Sequence, residues 1–141
     1  MTMRAAIICI GVAACIAGGS LVLAREGGDH AEISTETLIE QALAGADGQE
    51  VVAQTYVFPA GVVLPWHIHP DAHEIAYVLE GDFTFERAGA PPREMTAGEA
   101  DYLPPNVVHR GLNRSDAPVR LFVVRIKPKD KPLVEEVAPP Q

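Results

Sequence analysis

The stretch that decides the fold is residues 61–81, which read GVVLPWHIHPDAHEIAYVLEG. Side chains alternate along a strand, so the imidazole rings of His67 and His69, two residues apart, are expected on one face. Pro70 ends this extended piece, and Glu74 begins the next strand, from which its carboxylate can reach the same interior. Two imidazoles and a carboxylate on adjacent strands are suitable ligands for a divalent transition metal ion.

A second stretch, residues 98–113, reads GEADYLPPNVVHRGLN and supplies a further ligand. His109 is the only other histidine inside a strand-like segment, and we predict that it joins His67, His69 and Glu74 around one metal ion. Such a set leaves about two positions of an octahedron for water or substrate, which a catalytic metal needs. These ligand types do not distinguish iron, manganese, nickel, copper, cobalt and zinc.

Both stretches resemble the paired motifs of the cupin superfamily, whose members are small jelly-roll β-barrels. The first reads G(X)5HXH(X)4E(X)6G and the second G(X)5PXN(X)2H(X)3N. Asn106 stands where the family usually has glycine, but asparagine tolerates a positive φ well enough for the turn to survive. The resemblance implies the same four metal ligands that the spacing predicts. It also implies a homodimer paired through an outer sheet, by analogy only.

The pattern from residue 50 to residue 127 predicts a single all-β barrel. Short apolar or alternating runs are separated by Gly- and Pro-rich turns, as in a sandwich or barrel, and no internal repeat suggests a second one. Residues 128–141 are rich in proline and charge and are expected to form a flexible C-terminal tail. Residues 25–49 form an N-terminal extension in which Ser34–Ala44 is predicted as a short helix, capped by Ser34 and ended by Gly45.

Residues 1–24 have the pattern of an export leader. A positive start with Arg4 precedes an uncharged apolar run that ends in small residues before Arg25, as in a cleaved signal peptide. An uncleaved membrane anchor and a lipoprotein lipidated on Cys15 are the alternatives. All three place the domain outside the cytoplasm, in the periplasm or beyond the cell, with the membrane contacted only through this segment.

Composition excludes several classes of function. The chain has 141 residues, enough for one domain, and a formal net charge of −8, which argues against binding nucleic acid. Both cysteines, Cys9 and Cys15, lie in the leader, so a disulfide framework for the barrel is not expected.

Several other residues are assigned simpler roles. His73 directly precedes Glu74 and should face the opposite way, toward solvent. Asn113 is predicted to hydrogen-bond a turn. Turn positions are assigned to the motif glycines Gly61, Gly81 and Gly98. We predict that Arg110, Arg120 and Arg125 lie on solvated strand faces. The alternative is that they bind an acidic substrate.

The function favoured by these observations is metal-dependent oxidation of a small organic molecule by a dioxygenase-type enzyme. No separate acid–base residue stands out, because Glu74 would be committed to the metal, and this favours chemistry carried out by the metal itself. The alternatives are a cupin isomerase or decarboxylase, a non-catalytic module that binds a metal or small molecule, and a structural barrel with an empty site.

Overall fold

A computed structural model describes residues 32–141. The leader, residues 1–24, and the first part of the extension lie outside the described residues, so the predictions made for them stay predictions. Within residues 32–141, the secondary structure consists of strands joined by turns and loops, and no helix there could span a membrane.

The described chain forms ten strands in two antiparallel sheets. Their bounds are β1 Ser34–Ala42, β2 Gln49–Phe58, β3 His67–Ile68, β4 His73–Glu80, β5 Asp82–Arg87, β6 Arg93–Thr96, β7 Ala100–Leu103, β8 His109–Leu112, β9 Val119–Pro128 and β10 Glu135–Glu136. One sheet has the order β1-β2-β9-β4-β7 and the other β10-β3-β8-β5-β6. The predicted all-β barrel is therefore confirmed.

The core lies between the two sheets and follows from the period of two along each strand. On β9, Val119, Leu121 and Val123 are buried, while Arg120 between them is exposed. Phe83 on β5 packs against the same cluster from the facing sheet. Beyond Val123 the inward row of β9 continues with buried charged residues, so the barrel is apolar at one end and polar at the other.

The predicted helix over Ser34–Ala44 is wrong, because residues 34–42 form strand β1. This strand pairs antiparallel with β2 from Ser34↔Val57 to Ala42↔Glu50, and a bulge at Leu38 interrupts the register. The apolar side chains of this segment face no core, since Leu38 and Ile39 are 50 % and 52 % exposed. Residues 34–42 form a strand because they pair with the backbone groups at the edge of β2. Tertiary context therefore overrides local propensity here.

The C-terminal segment contributes a strand where the sequence predicted a flexible tail. Glu135 and Glu136 pair with Ile68 and His67 on β3, and the backbone N–H of Val137 donates to the carbonyl of Trp66. Residues 132–137, which we call the C-terminal strap, therefore cross the open end of the barrel beside the histidine motif. Strands β5 and β6 form the connection between the two motifs.

The turn at Asn106 confirms the expectation drawn from the altered second motif. Asn106 has φ of 62° and Asp71 has φ of 52°, both in the left-handed region. The two side chains hold each other's loops: the Asp71 N–H donates to Asn106 Oδ1, and Asn106 Nδ2 donates to Asp71 Oδ1, each at 3.0 Å. The loop after His69 is thereby tied to the loop before His109.

Gly111 on β8 is required by a close approach to the core, and substituting it should be costly. A Cβ atom there would lie 2.6 Å from both Cε1 and Cζ of Phe83, whose ring is 1 % exposed. We expect Gly111→Ala to lower the free energy of unfolding by about 1–3 kcal/mol, as overpacking does. Urea unfolding would measure this. In a Phe83→Leu background the added methyl group should cost much less, and an equal cost in both backgrounds would contradict the explanation.

Candidate metal centre

Three histidine rings converge at the polar end of the barrel. His67 lies on β3 directly opposite His109 on β8, and His69 follows β3 with its ring on the same side. The three residues are 6 %, 3 % and 2 % exposed in the order His67, His69, His109. One potential ligand atom from each lies within 4.8 Å of the others, a spacing at which they could hold one metal ion. The structure thus brings together three of the four predicted ligands.

Backbone carbonyl groups fix the tautomer of all three rings. The Nδ1 atoms of His67 and His109 lie 2.8 Å from the carbonyl oxygens of Pro65 and Val107, and that of His69 lies 2.6 Å from the carbonyl oxygen of Leu133. A carbonyl oxygen only accepts, so each Nδ1 carries the proton and each Nε2 offers a lone pair. A hydrogen bond of this kind to the other ring nitrogen orients a histidine toward a metal.

The surroundings of His69 Nε2 also fit a cation. This atom is buried and has no hydrogen-bond partner among residues 32–141. Glu74 Oε2 lies 2.8 Å away, too close for two lone pairs to face each other without a positive charge, although the geometry is not that of a hydrogen bond. A buried nitrogen lone pair beside a carboxylate oxygen costs free energy unless a cation satisfies both. The position of Glu74 is compatible with the predicted fourth ligand, and that role stays a prediction.

The protonation states favour cation binding near neutral pH. Burial, reinforced by the neighbouring His109, lowers the pKa of His67 to about 3, and burial lowers the pKa of His109 as well. Burial alone would raise the pKa of Glu74, but the neighbouring Arg125 guanidinium opposes this, and the pKa of Glu74 lies well below its usual range. His67 and His109 therefore offer unprotonated imidazoles near an ionised carboxylate, which are the forms that ligate metals.

Glu74 is held in a buried polar network. Arg125 Nε donates to Glu74 Oε2 at 2.7 Å, and Arg125 Nη1 donates to Gln54 Oε1 at 3.1 Å and to the Tyr56 hydroxyl at 2.9 Å. The Tyr56 hydroxyl in turn donates to Gln54 Oε1 at 2.6 Å. All four side chains come from the sheet that faces the histidines.

A cavity of about 790 Å³ opens beside the histidines and the network. Apolar side chains form its inner wall. The C-terminal strap and the start of β1 line another part of the cavity. The apolar lining includes Val52, Phe58, Leu64, Phe83, Phe85, Leu121 and Val123. This volume suits a small organic ligand held between a polar end and an apolar wall.

The other residues singled out in the sequence have the simpler roles that were predicted for them, with one exception. His73 is exposed and bonds the Tyr102 hydroxyl at 2.6 Å, and Asn113 Nδ2 donates to three carbonyl groups that close a turn. Arg110 and Arg120 pair with Glu86 and Glu80 and are not among the residues lining the cavity. Arg125 is instead buried at the site, so the favoured solvated environment was wrong for it.

The contact between the strap and His69 predicts an effect of truncation on metal affinity. Removing residues 131–141 deletes the Leu133 carbonyl that holds His69 Nδ1, while leaving the two sheets otherwise intact. We expect metal affinity to fall by about 10–100-fold, the usual effect of losing such a partner. Competition with a chelating dye measures it. Removing only residues 138–141 is the control, and equal losses for both truncations would contradict the role of Leu133.

Comparison with known proteins agrees with this architecture. The family described as Cupin domain matches residues 54–125. Over 59 residues the chain is 36 % identical to dimethylsulfoniopropionate lyase DddQ of Ruegeria pomeroyi, a stretch that is 42 % of this chain and 29 % of the lyase. The crystal structure of that lyase superposes with a TM-score of 0.61 at 25 % identity, covering 81 % of this chain and 56 % of the lyase.

Two further structures resemble the chain. Oxalate oxidase in complex with the substrate analogue glycolate matches at 26 % identity and a TM-score of 0.54, covering 62 % of this chain and 46 % of the oxidase. A conserved protein with a double-stranded β-helix domain from Klebsiella pneumoniae covers 82 % of this chain and 90 % of its own length, with a TM-score of 0.58 at 17 % identity, and shows the fold alone. The sequence match spans less than a third of the lyase, and the superposition spans under half of the oxidase. Because the family match extends over just over half of the chain and includes all three converging histidines, this chain belongs to the cupin superfamily.

Proposed function

We propose that this protein is a metal-dependent oxidoreductase of dioxygenase type that acts on a small organic molecule outside the cytoplasm. The observation that carries the proposal is the cluster of His67, His69 and His109, buried, held in the ligating tautomer and open to a cavity. A transition metal ion bound there would supply redox chemistry and open positions for substrate and oxygen.

The chain's own groups would bind and orient the substrate. The apolar wall built around Phe58 and Leu121 would exclude water from the reacting centre, which strengthens polar interactions inside it. At the polar end, the Arg125 guanidinium offers fixed donors beside the histidines, and the Tyr56 hydroxyl, which accepts from Nη1, helps to position it. Such preorganised groups need little rearrangement when charge develops during a reaction.

Elemental analysis followed by oxygen-uptake assays tests this proposal. Purified protein should contain close to one transition metal ion per chain, and the loaded protein should consume oxygen with one of a panel of small phenols, diketones and carboxylic acids. Metal content near zero after loading would refute the metal centre. Stoichiometric metal with no oxygen uptake, together with ligand-dependent thermal stabilisation, would favour a non-catalytic binding module.

A lyase is the second candidate, favoured by the similarity to dimethylsulfoniopropionate lyase. Because the chain spans only part of that enzyme, the shared activity is a proposal and not a consequence of the match. Loss of dimethylsulfoniopropionate from an oxygen-free mixture with loaded protein would support it. Substrate loss that requires oxygen would favour the oxidoreductase.

A further inference from the structure

Arg125 is the most unusual charged residue in the cavity. It lies on β9 in the same inward row as Leu121 and Val123, and it is 6 % exposed. Among residues 32–141 it is the only lysine or arginine that lines the cavity, which also contains the three histidines. A buried guanidinium is costly unless its donors are satisfied, so its surroundings indicate what it binds.

The hydrogen bonds of Arg125 leave one edge of the guanidinium open. Nε donates to Glu74, and Nη1 donates to Gln54 and Tyr56. Nη2 makes no hydrogen bond to any residue in the described range 32–141. A guanidinium presents five N–H donors in a planar fork, so two of them remain for an acceptor inside the cavity.

From this geometry we propose that Arg125, supported by Tyr56, is the subsite that binds the carboxylate of the substrate beside the histidine cluster. The inference deepens the proposed function, because it places the substrate in the same cavity and assigns it to the small carboxylic acids. A carboxylate matches the planar fork of arginine, and charge-assisted hydrogen bonds of this kind are about twice as strong as neutral ones.

One wall of the cavity suits a substrate with a short, apolar carbon chain. Phe58, Leu121 and Val123 lie on the same sheet as Arg125 and supply a surface without donors or acceptors. A carbon skeleton lying on this surface would leave its carboxylate at the polar end. A sugar or another molecule with many hydroxyl groups would leave most of them without partners there.

Binding of glycolate and of its uncharged amide, glycolamide, tests the subsite. The two probes have nearly the same shape and both retain a hydroxyl and a carbonyl oxygen, so they differ chiefly in charge. Calorimetric titration would be run on zinc-loaded and on metal-free protein. Wild-type protein should prefer glycolate by about 10–100-fold, and Arg125→Met should reduce this preference to about threefold or less. Tyr56→Phe should reduce the preference for glycolate by a smaller factor than Arg125→Met does.

Control variants separate this role from general electrostatics and from misfolding. Arg120→Met removes a positive charge from the same strand, where Arg120 is exposed and pairs with Glu80 at 2.8 Å, and it should leave the preference unchanged. Arg125→Met leaves the Glu74 carboxylate buried without its cation and could prevent folding. If circular dichroism shows this, the Glu74→Gln/Arg125→Met double variant takes its place, compared with Glu74→Gln alone.

Three results would overturn the subsite: equal binding of both probes by wild-type protein, a preference that persists in a folded Arg125 variant, or an equal loss in Arg120→Met. These outcomes differ from failure of the oxidoreductase. A charge preference that depends on Arg125 without oxygen uptake would retain the subsite and reject the activity. Oxygen uptake together with an unchanged preference in the Arg125 variant would retain the activity and reject the subsite.

Discussion

Replacing His109 with alanine is expected to reduce bound metal to background and to lower oxygen uptake by about a thousandfold or more, the scale on which loss of a central charge-stabilising group lowers kcat. The ring faces His67 across the β3–β8 pair, and its Nδ1 is fixed by the Val107 carbonyl. Removing it takes away one of the three converging imidazoles and leaves His67, His69 and the Glu74 carboxylate, a set that lacks one of the four predicted ligands. Metal analysis and oxygen uptake of the variant measure both effects.

His73→Ala is the matched control, because it removes an imidazole close to Glu74 in sequence. His73 is exposed and its ring bonds the Tyr102 hydroxyl outside the cavity. Metal content and turnover should therefore stay near the wild-type values. Circular dichroism should show that both variants keep the β-sheet spectrum. A His109→Ala protein that still binds one ion at wild-type affinity would disprove the centre as described.

Acidification from pH 7 to pH 4.5 is expected to lower the free energy of unfolding of the metal-free protein by about 3 kcal/mol through His67 alone. The pKa of His67 is 6.5 in the unfolded chain and about 3 in the folded protein. Between these values the unfolded chain binds a proton that the native protein does not, so protons favour unfolding. The stability is complete above pH 6.5 and is lost progressively toward pH 3. Buried His109 acts in the same direction, and so does Glu74 below its own unfolded pKa of 4.5.

Urea unfolding at the two pH values, followed by circular dichroism, measures this loss. His67→Gln replaces the imidazole with a group that does not titrate, so its stability should fall less over the same interval. The difference between the two proteins isolates the contribution of the one ring. An equal fall in both would show that other groups cause the acid sensitivity.

The histidine cluster could be predicted from sequence because its geometry is local. The alternation of a strand places His67 and His69 on one side, and the motif spacing brings His109 opposite them. The turns at Gly81 and Asn106 were also predictable, since each needs a positive φ that few residue types adopt.

Features that depend on contacts distant in the chain could not be predicted. The Leu133 carbonyl that orients His69 is a backbone group, and no side-chain pattern identifies it. Strand β1 exposes its side chains on both faces, so it carries no alternation and is held by pairing with β2. The burial of Arg125 could have been predicted. It continues the buried row of Leu121 and Val123 at a period of two, and following that alternation to the end of the strand places it inside.

The reciprocal bonds between Asp71 and Asn106 have a consequence for how this sequence can change. Alanine at 106 removes both bonds, whereas alanine at 71 removes only the bond that its carboxylate accepts and keeps the backbone N–H donor. Because the two substitutions share the loss of that one bond, they should be non-additive in a double-mutant cycle. Glycine at 106 would restore the family pattern and ease the backbone, yet it would separate the loops that follow one ligand and precede another. The two motifs are therefore coupled through these loops. A substitution in the loop of one motif is restrained by the contact that this loop makes with the other motif.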